Sequence, residues 1–385
     1  MGCVALSAVL SVAWACGDDD GGSDAGGEDA GRDATTVDAA QDVPGTDTSD
    51  PDVGAVDARP PEGSSAFIAQ GHLGRTMVSC DDGVTWVANR SLDDAAICWP
   101  ESGPDLDCDH HPGAGKGISF GAGYFYATWG WGMPGGIDRS NDGVTWECVV
   151  EDTTYGGIAV GNDVIVAAAR TARRSTDGAS WEDTGDTMLE VWNVRRAGFV
   201  DVMGGRFVMV ADETNVALSG DDGATWFRPT TIDAACGQGV QTRGGIASAG
   251  DTILILGGDG VACTSSDGGD TWSSRSIGTD NVGSQLVWTG SAFFAYGGGM
   301  AYSSPDGETW SSQATTPGGL NLGAIAYNPE TGVFVGVRGG WQQWYDDQVF
   351  YRSTDGVVWE EADSYVGQHP IRFIEHGYLE SCPTE

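Results

Sequence analysis

Residues 79–86 read SCDDGVTW, and the frame returns as SNDGVTW at 140–146, STDGASW at 175–181, SGDDGATW at 219–226, SSDGGDTW at 265–272, SPDGETW at 304–310 and STDGVVW at 353–359. Each copy places an aspartate two residues after a serine, then a glycine, then a closing tryptophan. This is the chemistry of a tight turn between strands. The serine ends one strand. The carboxylate (Asp81, Asp142, Asp177, Asp221, Asp267, Asp306 or Asp355) accepts hydrogen bonds from the turn's own backbone, and the glycine supplies a positive φ. The tryptophan (Trp86, Trp146, Trp181, Trp226, Trp272, Trp310 or Trp359) opens the next strand and can bury its indole against a neighbouring sheet. Successive tryptophans are 60, 35, 45, 46, 38 and 49 residues apart, a mean of about 45. A period of about 40–50 residues built from four short strands is the signature of a β-propeller.

The remaining strands can be placed outward from these turns. Apolar pairs precede six of them, for example GISFGAG/YFYATW and GGIAVGN/DVIVAAA. The first blade offers only AFIAQG at 66–71, and its missing member stands at the end of the chain, IRFIEHG at 371–377. The expectation is an all-β chain with seven four-stranded blades, its ring closed by a C-terminal strand that removes the last free sheet edge. YLESC at 378–382 also reads as the start of a second strand, which leaves the closing register open.

The motif residues resemble the Asp-box (BNR) repeat of sialidases, sortilin-type receptors and related propellers, over residues 64–385. The resemblance implies that the boxes are structural hairpins between the third and fourth strands of each blade. It also implies that ligands bind on the opposite face, among loops joining successive blades and second to third strands. The F/Y-R-I-P motif that carries the first sialidase arginine is absent, and the N-terminal blade offers only Arg75. No catalytic residue can therefore be carried over.

Composition bounds the partners. The 385 residues include 61 Gly and 15 Trp, and 18 Lys+Arg against 56 Asp+Glu give a net charge of −38. Nucleic-acid binding through phosphates needs a basic surface, and so does docking on anionic lipid. Acidity of this kind keeps exported proteins soluble, and a monomer is expected. No phosphate loop, dinucleotide fingerprint or nucleophile–base motif is present, and neither a cofactor nor a metal is expected.

Val4 to Ala15 is an apolar run too short to span a bilayer, and it reads as a signal peptide over 1–15. Cys16 follows Ala13-Trp14-Ala15, resembling the lipobox of a bacterial lipoprotein. Residues 17–63 hold 14 acids and two bases with few large apolar side chains. Such a segment cannot offset its ordering entropy, and 16–63 reads as a disordered acidic tether. The expectation is an exported outer-membrane or cell-surface lipoprotein, or else a secreted protein, with membrane contact only through the lipid.

Three loops stand out on the face opposite the turns. Asn89–Gly115 is long and carries Cys98, Trp99, Cys108, His110 and His111. GWGMPGG follows a strand, with Trp129 and Trp131 beside it. RGGWQQWYDDQ presents Trp341, Trp344 and Tyr345 next to Arg338. Glu190, Trp192, Arg195 and Arg196 enter from a fourth loop. Aromatic platforms with a few polar groups suit a glycan, and they suit a protein ligand as well. DLDCDHH at 105–111 imitates a calcium loop but has His110 in place of glycine and Lys116 in place of glutamate, so that pattern fails. The function expected is non-catalytic binding of a glycan or protein on the loop face. A glycoside hydrolase on the same scaffold is the alternative.

Cysteine positions suggest three bonds. Cys98 and Cys108 could staple the long loop. Cys80 sits in the first turn and Cys382 follows the closing strand toward the same face, so a Cys80–Cys382 bond would lock the ring. Cys236 with Cys263 is the third candidate.

Overall fold

The computed structural model describes residues 63–71, 74–90, 114–130, 135–187, 189, 194–211, 216–236, 245–257, 259–283, 285–338, 348–365 and 370–383. Seven antiparallel sheets follow one another around a ring. Their inner strands are Ile371–Leu379, Ala114–Gly121, Gly157–Gly161, Val194–Val200, Ile246–Ala249, Val287–Trp288 and Leu322–Asn328, in blades 1 to 7. Each inner strand contacts the next, and the seventh returns to the first.

Blade 1 joins the two ends of the folded chain. The last strand, Ile371–Leu379, pairs with the first, Ser64–Gly71, in a register running from Ser64↔Leu379 to Gln70↔Phe373. Tyr378 and Leu379 therefore continue the closing strand and do not start a second one. Closure leaves no inner strand without a neighbour, the arrangement that protects a sheet protein from edge-to-edge association.

Period-two alternation divides the core into seven layers, one per blade interface. From the strand Ser64–Gly71, Phe67 and Ala69 pack against blade 7, while Ala66 and Ile68 pack against blade 2. Every repeat tryptophan sits in the layer shared with the preceding blade: Trp226 with Val166 of blade 3, Trp272 with Val208 and Leu218 of blade 4, Trp359 with Tyr296 of blade 6. Glycines let the inner strands approach. A Cβ on Gly161 would lie 2.1 Å from the Phe199 ring, one on Gly121 2.2 Å from Val160, and one on Gly377 2.4 Å from the Phe120 ring.

Blade 4 departs from the four-strand plan. Three strands are regular, and the fourth position is reduced to a single bridge in which Leu218 and Phe227 exchange N–H···O bonds of 2.9 Å. The chain then turns into a short helix, Ile232–Cys236, whose apolar residues enter the layer between blades 4 and 5. Nothing in the repeat announced this departure, because SGDDGATW is a complete copy.

The expected disulfides Cys80–Cys382 and Cys236–Cys263 are present. The second ties the short helix to blade 5. Cys98 and Cys108 lie outside the described residues, as do Cys16, the expected signal peptide and residues 16–62 of the expected tether.

Candidate functional site

The two faces of the ring differ in chemistry. On one face the seven repeat turns consume their own carboxylates. Asp267 shows the pattern: its Oδ1 accepts the Thr271 N–H at 2.8 Å and the Ser265 hydroxyl at 2.8 Å, and its Oδ2 accepts the Thr271 hydroxyl. The Thr271 hydroxyl and N–H hold the carboxyl below its ordinary value against slight desolvation. At Asp306 the Thr309 N–H is the main cause, and the pKa falls to about 2. The longer turns place a second residue at positive φ before the glycine, Asp82 at 56° and Asp222 at 56°; the shorter turns use the glycine alone. These aspartates are fixed, ionised turn-formers, each with its Oδ1 engaged by the turn's own N–H and hydroxyl groups.

The opposite face receives the loops that join second to third strands and each blade to the next. Most of the sequence-predicted ligand residues lie outside the described residues: His110, His111, Trp131, Glu190, Trp192, Trp341, Trp344, Tyr345 and the side chain of Arg195. Arg338 is exposed at the loop-face end of its strand, near Tyr351. Trp129 needs correction. It is fully buried with Phe125, Ala127 and Ile68 between blades 1 and 2, so its indole cannot stack on an external ligand. The signal was available: Phe125, Ala127 and Trp129 share one strand face by alternation.

A channel runs along the ring axis. Its cavity of about 320 Å³ has a mainly polar wall, and its lining includes Lys116, Arg196, Gln285 and Glu375. The free backbone edges of the inner strands face this space, and side chains satisfy some of them. Gln285 of blade 6 donates to the Ile374 carbonyl at 2.8 Å and accepts the N–H groups of Ile374 and Ile325 at 2.9 and 3.2 Å. One amide thus links three blades. Glu375 accepts a hydrogen bond from the Phe120 N–H of blade 2, yet burial dominates and pushes its carboxyl up to about 8. The side chain is part-exposed to the channel and otherwise surrounded by protein.

Arg196 is in the inner strand of blade 4, not in a loop as the sequence suggested. Its guanidinium lies 4.8 Å over the Phe373 ring of blade 1, so the side chain reaches across the channel. Near the loop face Arg75 is buried, stacked 4.7 Å over Tyr365 and bonded to Asn89 Oδ1. That arginine joins blades 1 and 7 and is structural.

Fold and site together define a seven-bladed β-propeller whose turn face is structurally committed and whose axis carries a polar channel. No protein-family model matches the chain, and no curated protein matches it in sequence. Among solved structures it is similar to YCF48 bound to D1 peptide, at 17% identity, 71% of this chain, 91% of that chain and a TM-score of 0.49. YCF48 from Cyanidioschyzon merolae follows at 14% identity, covering 69% of this chain and 95% of that one with a TM-score of 0.46. The computationally designed Ika8 protein has 12% identity, 83% and 95% coverage and a TM-score of 0.49. Likeness at this level concerns the fold and says nothing of ligand or partner.

Proposed function

We propose that this protein is a non-catalytic Asp-box propeller that binds a glycan or protein ligand on its loop face, exported and held to a bacterial outer membrane or cell surface through a lipidated Cys16. The observation that carries the reading is the asymmetry of the faces. The turn carboxylates are spent on their own hairpins, whereas the channel holds Lys116, Arg196 and Glu375. Glycoside hydrolysis needs two carboxyl groups flanking the scissile bond. Glu375 is the one acid among the described residues that line the channel, which favours binding without chemistry.

Trp341, Trp344 and Tyr345 are the proposed aromatic platform. A screen of immobilised glycans and of membrane and envelope proteins would use the chain from Cys16 onward. The double variant Trp341→Ala/Trp344→Ala is expected to lose at least tenfold in affinity with an unchanged melting temperature. Each stacking aromatic is worth on the order of 1 kcal/mol. If the double variant melts far below wild type, those side chains are core and the platform is misassigned.

A further inference from the structure

Gln70, Thr76 and Trp129 are completely buried, yet each keeps one polar side-chain atom with no partner in the protein: Gln70 Oε1, Thr76 Oγ1 and Trp129 Nε1. Strand register brings the three together. Gln70 and Thr76 face each other across neighbouring strands of blade 1, and alternation from Ala66 and Ile68 turns both towards blade 2. Trp129 projects into the same layer from blade 2. It stands at the level of Gln70, because its cross-strand partner is Gly115, and a Cβ on Gly115 would lie 2.8 Å from the Gln70 Cδ. Its partner on the other side is Gly136. The indole is thus flanked by two residues without side chains, at the loop-face end of the layer between blades 1 and 2.

The orientation of the Gln70 amide is fixed. Its Nε2 donates to the Thr128 carbonyl at 2.9 Å, and a carbonyl only accepts, so Oε1 is the end left over. The open groups are then a pure acceptor in the Gln70 amide oxygen, a pure donor in the Trp129 N–H, and a Thr76 hydroxyl that acts either way. An indole N–H opposes a cation, and an amide oxygen opposes an anion. Complete burial of all three residues leaves room for nothing larger than a few atoms. Water meets each condition: it accepts from the indole, donates to the amide oxygen and pairs with the hydroxyl. A buried water typically makes about three hydrogen bonds to groups that would otherwise go unsatisfied, and buried polar groups in native proteins are almost always paired.

We propose that the layer between blades 1 and 2 holds an internal water-binding site at its loop-face end, with the Trp129 N–H, the Gln70 amide oxygen and the Thr76 hydroxyl as its ligands. The site gives blade 1, which is assembled from both ends of the folded chain, a polar link to blade 2 beside the bond from Gln70 to Thr128. It also gives the nitrogen of a buried tryptophan a role that phenylalanine could not fill. The site is independent of the loop-face binding reading.

A crystal structure of the full chain, at a resolution that shows ordered solvent, tests the site without any variant. The expected result is a solvent peak at about 2.7–3.2 Å from Trp129 Nε1 and from at least one of Gln70 Oε1 and Thr76 Oγ1. No peak there, or an indole N–H bonded directly to a protein acceptor, overturns the site. A thermodynamic cycle adds a measure in solution. Trp129→Phe and Thr76→Val each remove one ligand with little change of shape, and each should lower the melting temperature. A shared water couples them, because the first substitution already releases what the second would lose. Thr76→Val should therefore lower the melting temperature of Trp129→Phe by no more than about half of what it costs the wild type. Strict additivity of the two losses, like a missing peak, overturns the site.

Discussion

Trp226 shows what one residue of the repeat contributes. Its indole is buried against blade 3, and its N–H donates to the Gly223 carbonyl and to the Thr184 hydroxyl, both at 3.1 Å. The bond to the turn's own glycine recurs at Trp146, Trp272, Trp310 and Trp359, so five of the seven turns are pinned to their interfaces by a single side chain. Trp226→Ala should cost roughly 3–5 kcal/mol as a large-to-small core change, read by chemical denaturation, and leave ligand affinity unaltered. Glu375 is the opposite kind of residue, an ionisable group whose environment disfavours charge. Its folded-state value of about 8 lies above the ordinary 4.5, so its favourable contribution is complete below pH 4.5 and is lost as pH rises through 8. Glu375→Gln keeps an acceptor for the Phe120 N–H and removes the ionisation. Relative to wild type, this variant should gain about 1–2 kcal/mol between pH 6 and pH 9, an amount discounted for the side chain's partial exposure to the channel. A wild-type stability that does not fall relative to the variant over that range would contradict the assignment. The role of Glu375 was not legible in the sequence, because its neighbours in the channel come from other blades.

At the scale of the element, the seven turns and the strand pairs were legible because both are local. Serine, aspartate, glycine and tryptophan at fixed offsets specify a hairpin whose bonds close within a few residues. Blade-to-blade contacts were not legible. The residue beside the turn aspartate makes them: Asn141 donates to Glu380, Asp222 accepts from Asn162, and Asp82 accepts from Asn328. Asp222 and Asp82 thereby meet the first hairpin of the preceding blade, and Asn141 meets the end of the closing strand. These positions vary in the repeat because each suits one neighbour. Loss of the fourth strand in blade 4 was equally hidden, since its cause lies after the motif, where Ile232 and Cys236 find a better burial site between two blades. The inner-strand glycines form a second rule of this kind. Gly161→Ala would place a methyl group 2.1 Å from the Phe199 ring, and that ring also packs on Phe207 at 5.0 Å. Overpacking of this sort costs typically about 1–3 kcal/mol. The expected value is at the upper end, because the neighbour is a rigid ring. Gly318→Ala, with open space around it and no positive φ, controls for the change in backbone freedom alone.

For the whole molecule the decisive feature is that the ring is closed by non-covalent pairing and then locked. Strand pairing runs from Ser64 to Gln70 against the last strand. The seam on the blade 7 side adds Asn328 to Ser65 at 3.3 Å, Tyr378 to Glu330 at 2.8 Å and Ser65 to His376 at 3.0 Å. On the blade 2 side the Glu380 N–H donates to the Asn141 carbonyl at 2.9 Å. Cys80–Cys382 then spans 302 residues of sequence, a pairing the sequence made visible because strand phase brings both cysteines to the turn face. Two mechanisms make different predictions for Cys80→Ser/Cys382→Ser. If the bond acts through the unfolded chain, the entropy model sets a ceiling of about 5–6 kcal/mol, and protection against hydrogen exchange should fall evenly around the ring. If it also holds the seam, opening should begin there, because the strands Ser64–Gly71 and Ile371–Leu379 are the only inner pair joined by no hairpin. The second outcome is expected: exchange in those two strands should rise ahead of blade 4 by at least tenfold, with a stability loss of roughly 2–5 kcal/mol. Uniform exchange would assign the whole effect to the unfolded state and leave the seam stable on its hydrogen bonds alone.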